Sequence, residues 1–120
     1  MQVLMYNIDG GKAVKIKNLC RMLNADYRVV EPFEYGLRLD YLLGLSEDGS
    51  VGEGSVFSEE MLYFVGFYGA MLNIFLNQLK KQRTTVALKA VMTETNVGFT
   101  SFELFGELSR EHEALNGGKQ

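Results

Sequence analysis

The sequence predicts a small α/β fold: a four-stranded parallel sheet with helices on both faces, in the order β-α-β-α-β-α-β-α. Three observations predict it. Two nearly continuous apolar runs, QVLMYNI at 2–8 and EMLYFVGF at 60–67, suit strands covered on both sides. Two shorter and more polar runs, DYRVVE at 26–31 and VALKAVM at 86–92, carry Arg28 and Lys89, and such charges are tolerated at sheet edges. The segments between them repeat their apolar residues at helical spacing. Placing the apolar runs centrally gives the strand order 2-1-3-4, with right-handed crossovers.

Each element has its own local reason. After the first strand, NIDGGK is a turn, and Ala13, Ile16, Leu19, Cys20 and Leu23 then form one apolar stripe, leaving Lys12, Lys15, Lys17 and Arg21 for solvent. The second strand ends before Pro32. A helix over about 33–43 would place Tyr35, Leu39, Leu42 and Leu43 on one face and stop at Gly44. Residues 46–58, SEDGSVGEGSVFS, hold three glycines, four serines and three acids without periodicity, so a flexible acidic loop is expected there. The third helix carries Met71, Leu72, Phe75, Leu76 and Leu79, and Lys80, Lys81 and Arg83 close it where positive charge is favoured. The last helix starts at Thr100, whose spacing to Glu103 fits a capping box, with Leu104, Phe105, Leu108 and Leu115 facing inward. No internal repeat at a fixed period is evident.

Composition limits the function classes. With 120 residues, 47% of them hydrophobic and 22% charged, the chain suits one domain over 1–115 and a disordered tail at 116–120. The net charge of −3 disfavours nucleic acid and anionic membrane as general partners. A lone cysteine, Cys20, forms no internal disulfide, and with no signal-peptide pattern or membrane-length apolar run the expected setting is cytoplasmic. Cys20 lies on an apolar stripe and reads as an inert buried thiol. His112 stands between Glu111 and Glu113 with no second His or nearby Cys to complete a metal site. No cofactor or metal is implied.

A working edge can still be named. In open parallel sheets, ligands sit beyond the carboxyl ends of the strands, where strand order reverses. That places Asn7, Asp9, Gly10, Gly11 and Lys12 after the first strand, and Gly66, Phe67, Tyr68 and Gly69 after the third, around one crevice. Thr93, Thr95 and Asn96 would stand at its far side with Lys89. The turn IDGGK is most simply a strand-to-helix connection, although its N–H groups are of the kind that cradle an anion. Lys89 is most simply an edge lysine lying along apolar surface.

The stretches MLYFVGF, VALKAVMTETN and LSREHEAL resemble a bacterial family known only as a domain of unknown function, most clearly over about 59–115. That resemblance implies a small bacterial protein without assigned catalytic residues. Two functions are compatible with these features. The first is a non-catalytic domain that binds a small anionic ligand or a protein partner. The alternative is a small enzyme or cofactor-binding domain acting on an anionic metabolite at the carboxyl edge of the sheet.

Overall fold

The computed structural model describes residues 1–117, with the side chains of residues 1–113. It holds four strands, β1 (Gln2–Tyr6), β2 (Asp26–Val29), β3 (Met61–Val65) and β4 (Leu88–Val91). Its helices are α1 (Gly10–Met22), α2 (Leu39–Leu42), α3 (Met71–Lys81) and α4 (Ser101–Gly117), with 3-10 turns at Pro32–Glu34 and Asn96–Gly98. Helix α4 reaches into the expected tail, of which residues 118–120 lie outside the described residues, as does the side chain of Leu115. The chain divides into two compact units, one of Met1–Val29 with Glu59–Val91, the other of Val30–Ser58 with the chain from Met92 onward.

The first unit contains the sheet, whose order β2-β1-β3-β4 is as expected. The expected all-parallel pairing is corrected: β1 pairs β2 and β3 pairs β4 in parallel, but β1 and β3 are antiparallel, in a register centred on Leu4 opposite Tyr63. The reason lies in the connection. A parallel neighbour is joined by a crossover connection, usually a single helix, and residues 30–58 form no such helix but belong to the other unit, leaving the direction of β3 unconstrained. The sheet is therefore two parallel βαβ pieces joined back to back. Both crossover helices lie on one face, where Val3, Met5, Leu62 and Phe64 meet Ile16, Cys20, Phe75 and Leu79 in a single core. On the opposite face Leu4, Tyr6, Met61 and Tyr63 are fully buried as well, so the central strands are covered on both sides as their unbroken apolar runs require.

These two pieces repeat one another at a shift of 59 positions from the central strand to the end of the helix, the distance from Leu4 to Tyr63, and at 62 in the outer strands, because three more residues precede β4. Asn7 and Gly66 both take positive φ, 57° and 74°, just after their strands. Asn24 and Arg83 do so after their helices, at 57° and 52°. The closing bonds coincide as well: the N–H of Ala25 donates to Cys20 O and that of Thr84 to Leu79 O. Core positions match, Ile16 with Phe75 and Cys20 with Leu79. Identical pairs in the two pieces are few, Gly10/Gly69 and Asn18/Asn77 up to the end of the helix and Val29/Val91 in the outer strands, so little in the sequence advertised the duplication.

The second unit continues the repeat, since each half supplies a 3-10 turn followed by a helix, and Arg38 and Thr100 pair in an antiparallel bridge at their junctions. The capping box expected at the start of α4 is present, with Thr100 N–H donating to Glu103 Oε1 at 3.0 Å and Glu103 N–H to Thr100 Oγ1 at 3.2 Å. The helix expected over 33–43 is split. Gly36 N-terminal to the break passes so close to Gly52 that a Cβ there would lie 2.4 Å from Gly52 O, and Arg38 is extended, at φ −69° and ψ 145°. Of the residues expected to face inward, Tyr35, Leu39 and Leu42 are buried and Leu43 is half-buried, and Gly44 ends α2 at φ 75°.

Residues 46–58 form no helix or strand, as expected, yet they are not free of packing. Phe57 is buried and stacks on Tyr35 at 4.6 Å and on Phe105 at 4.1 Å between ring centroids. The N–H of Gly52 donates to Gly36 O at 2.8 Å. Arg38 makes a bidentate pair with Asp40 at 3.0 and 2.7 Å and reaches Asp48 at 3.6 Å. The guanidinium beside Asp40 holds its carboxyl below the usual carboxylate range.

Candidate functional site

The antiparallel centre dissolves the expected crevice. The carboxyl end of β1 stands beside Met61, the start of β3, whereas the carboxyl end of β3 stands beside Gln2. Asn7, Asp9, Gly10, Gly11 and Lys12 are thus at one edge of the sheet, and Gly66, Phe67, Tyr68 and Gly69 at the other. Thr93, Thr95 and Asn96 follow β4 and belong to the second unit, where Thr93 and Asn96 exchange hydrogen bonds, Thr93 N–H to Asn96 Oδ1 and Asn96 N–H to Thr93 Oγ1, in a closed turn.

The turn IDGGK carries its own anions. Asp9 caps α1 by accepting from Gly11 N–H at 3.3 Å, and the N–H of Asp9 donates to Glu60 Oε2 at 3.0 Å. Lys12 Nζ then bonds Glu60 Oε1 at 2.6 Å and the carbonyl of Thr85 at 2.8 Å. Asn7 Nδ2 donates to the carbonyl of Glu59 at 3.1 Å. Of the donors that would hold a ligand anion, the Asp9 and Gly11 N–H groups and the Lys12 ammonium meet carboxylates of the chain, one of them just before β3, and Asn7 Nδ2 meets a carbonyl. This part of the predicted site is a clasp between α1 and β3.

Lys89 has a different setting. It stands opposite Leu62 on β4, the outer strand, and so points to the face that carries α1 and α3. Its Nζ donates to the carbonyl of Val86 at 2.7 Å. A cavity of about 360 Å³ opens beside it between α3 and β4, lined by Leu76, Leu79, Lys80, Thr84, Thr85, Val86 and Lys89. A second, of about 170 Å³, lies on its other side, lined by Phe64, Leu72, Leu76, Lys89, Ala90 and Val91. No carboxylate lines either one. The Lys80 side chain makes no hydrogen bond or ion pair among the described residues. Lys15 Nζ at Gln82 O and Lys12 Nζ at Thr85 O add two more ammonium groups along the same connection.

The duplication shows why this groove is open. Val3 and Leu62 are equivalent, so their edge partners Tyr27 and Lys89 are equivalent too, and Arg21 corresponds to Lys80. In the first piece Arg21 donates to Tyr27 Oη at 3.0 Å, and the Arg21 and Lys17 cations lie 5.7 and 5.6 Å from the Tyr27 ring centroid. The phenol accepts from the guanidinium and offers its ring to the cations. In the second piece an ammonium stands at the place of the phenol and lines the cavity together with Lys80. Sequence reasoning singled out Lys89 but assigned Lys80 only to the helix dipole. The comparison with Arg21 and Tyr27 was the missing signal.

Charge is distributed accordingly. Residues 1–29 and 59–91 hold nine of the chain's twelve Lys and Arg but four of its fifteen Asp and Glu. The net charge of −3 therefore conceals a basic unit and an acidic one. Elsewhere, burial pushes the Cys20 thiol up to about 11, Arg21 offsetting part of the rise, so it is no nucleophile at neutral pH. His112 is exposed on α4. No group of three or more His, Cys, Asp or Glu that could hold a metal occurs among the described residues, and no helix among them is long and apolar enough to cross a membrane.

Comparison with curated proteins and with solved structures gave no match. Residues 60–115, the repeat that runs from β3 to α4 and carries the open groove, match the model of a family described as a domain of unknown function (DUF3783).

Proposed function

We propose that this protein is a non-catalytic binding domain whose ligand is anionic, held in the groove between α3 and β4. The observation that carries this reading is the pairing of Lys80 and Lys89 across a cavity of about 360 Å³ without a lining carboxylate. Two ammonium groups in one groove repel each other unless an anion lies between them, and the exposed Thr85 hydroxyl adds a donor suited to oxygen ligands, the buried Thr84 hydroxyl being bonded to Gln82 O. The volume falls in the range of small-molecule sites, roughly 300–1,000 Å³. Neither a general base nor an activated nucleophile stands in the groove, which favours binding over turnover. A cytoplasmic setting belongs to the same reading, since the lone thiol suits a reducing compartment, and a bacterial source rests on the family resemblance.

The reading is tested by thermal unfolding of the full chain with and without inorganic phosphate. Phosphate at about a hundred times its dissociation constant should stabilise the protein by roughly 2.7 kcal/mol. Lys80→Gln and Lys89→Met should each remove most of that gain. An unchanged gain in both variants would place the anion elsewhere and refute the assignment.

A further inference from the structure

The groove has two compartments that differ in their lining. One mixes Lys80, Thr84 and Thr85 with Leu79 and Val86. The other is lined by Phe64, Leu72, Ala90 and Val91, all apolar. Leu76 and Lys89 border both. The Lys89 ammonium rests on its own strand's Val86 carbonyl, a bond it can exchange for a ligand oxygen by rotating about its flexible stem. Lys89 and Val91 are exposed, so the apolar compartment is reachable from solvent.

We infer that the ligand is amphipathic, an acidic head such as a carboxylate or phosphate carrying a short alkyl tail. The inference rests on the proposed anion site and adds the tail. Lys80 and Lys89 with Thr85 take the head, as charged and hydroxyl donors suit oxygen anions. The tail lies along Leu76 into the compartment of Phe64, Leu72 and Val91, a space of about 170 Å³ that holds only a few methylenes. An inorganic anion would leave that space without use, and a neutral alkyl compound would leave the two ammonium groups unanswered.

Titration calorimetry of the full chain with acetate, butyrate, hexanoate, octanoate and inorganic phosphate tests this directly. Affinity should rise about fourfold for each methylene that enters the apolar compartment and level off once it is full. Val91→Gln, at an exposed edge position whose fold is checked by circular dichroism, should flatten the chain-length series while leaving phosphate affinity unchanged. Lys80→Gln should weaken every anion about tenfold. If phosphate binds and the series is flat in the unaltered protein, the tail inference is wrong and the anion site stands. If neither phosphate nor any carboxylate binds, both fail. Binding to vesicles of phosphatidylglycerol with none to free octanoate would overturn the inference in favour of a lipid surface.

Discussion

The two βαβ pieces of the sheet share a backbone plan and differ at the edge. Both place a small-residue or left-handed turn after the central strand, both close their helix with the same bond pattern, and both bury matched residues against the sheet. At the outer strand they part: Tyr27 meets Arg21 with its hydroxyl and ring, and Lys89 lines an open groove with Lys80. What was duplicated is the scaffold, while most side chains diverged, the edge pair among them. The difference teaches that one backbone plan gives the helix cation an aromatic partner in one piece and a second cation in the other.

The comparison is broken most forcefully in the core. Ile16 and Phe75 are both fully buried at equivalent positions of α1 and α3. Phe75 makes edge-to-face contacts with Phe64 and Phe67 at 5.2 and 5.5 Å. Truncation removes both transfer energy and packing, so Ile16→Ala should cost about 2–5 kcal/mol and Phe75→Ala about 3–5 kcal/mol in urea unfolding. If either costs less than about 1 kcal/mol, the two helices do not play matching roles and the repeat is superficial.

Much of this plan was legible from sequence, for reasons that differ residue by residue. The stripe of α1 and the inward residues of α3 follow from helical periodicity, and the Thr100–Glu103 box follows from spacing alone. Strand order was readable because apolar runs must lie centrally. Strand direction was not, because it depends on where residues 30–58 travel, and that stretch has no periodicity to reveal it. That Glu60 meets the donors of IDGGK was not legible, because it lies 51 positions away from Asp9. The expected continuous helix at 33–43 failed on the close pass of Gly36 by Gly52, a contact no local propensity encodes.

A second difference between the pieces lies beneath the helices, where Cys20 stands at the position of Leu79. Burial raises the folded thiol from 9.0 to about 11. Its contribution is therefore fully present below pH 9, where both states keep the proton, and is lost as pH rises toward 11, because the unfolded chain deprotonates first. Two units correspond to roughly 2.7 kcal/mol at the upper limit. Cys20→Leu copies the other piece and should remove this part of the alkaline loss, measured as the difference between variant and parent in urea unfolding from pH 8 to 11. Parallel curves would mean that the thiol is reached by solvent and that the two core positions are not alike.

The smallest effect on stability sharpens the comparison most. Exchanging the edge residues, Tyr27→Lys in one chain and Lys89→Tyr in another, converts each groove toward its counterpart. Lys89→Tyr sets a ring against Leu76 and its hydroxyl within reach of Lys80, copying the Arg21–Tyr27 contact. Burial of part of a ring should offset the lost Val86 bond, so stability should change by no more than about 1 kcal/mol, and any stabilisation by phosphate should vanish. Tyr27→Lys removes the partner of Arg21 and uncovers its groove, and should lower stability by about 1 kcal/mol through the lost ring and cation–π contact. The decisive reading is phosphate response: absent with Lys89→Tyr, retained with Tyr27→Lys, and in the latter strengthened if Arg21 and the new ammonium hold an anion as Lys80 and Lys89 do. Should Lys89→Tyr respond to phosphate as the parent does, the open groove is not where the anion binds, and the divergence of the two edges has another cause.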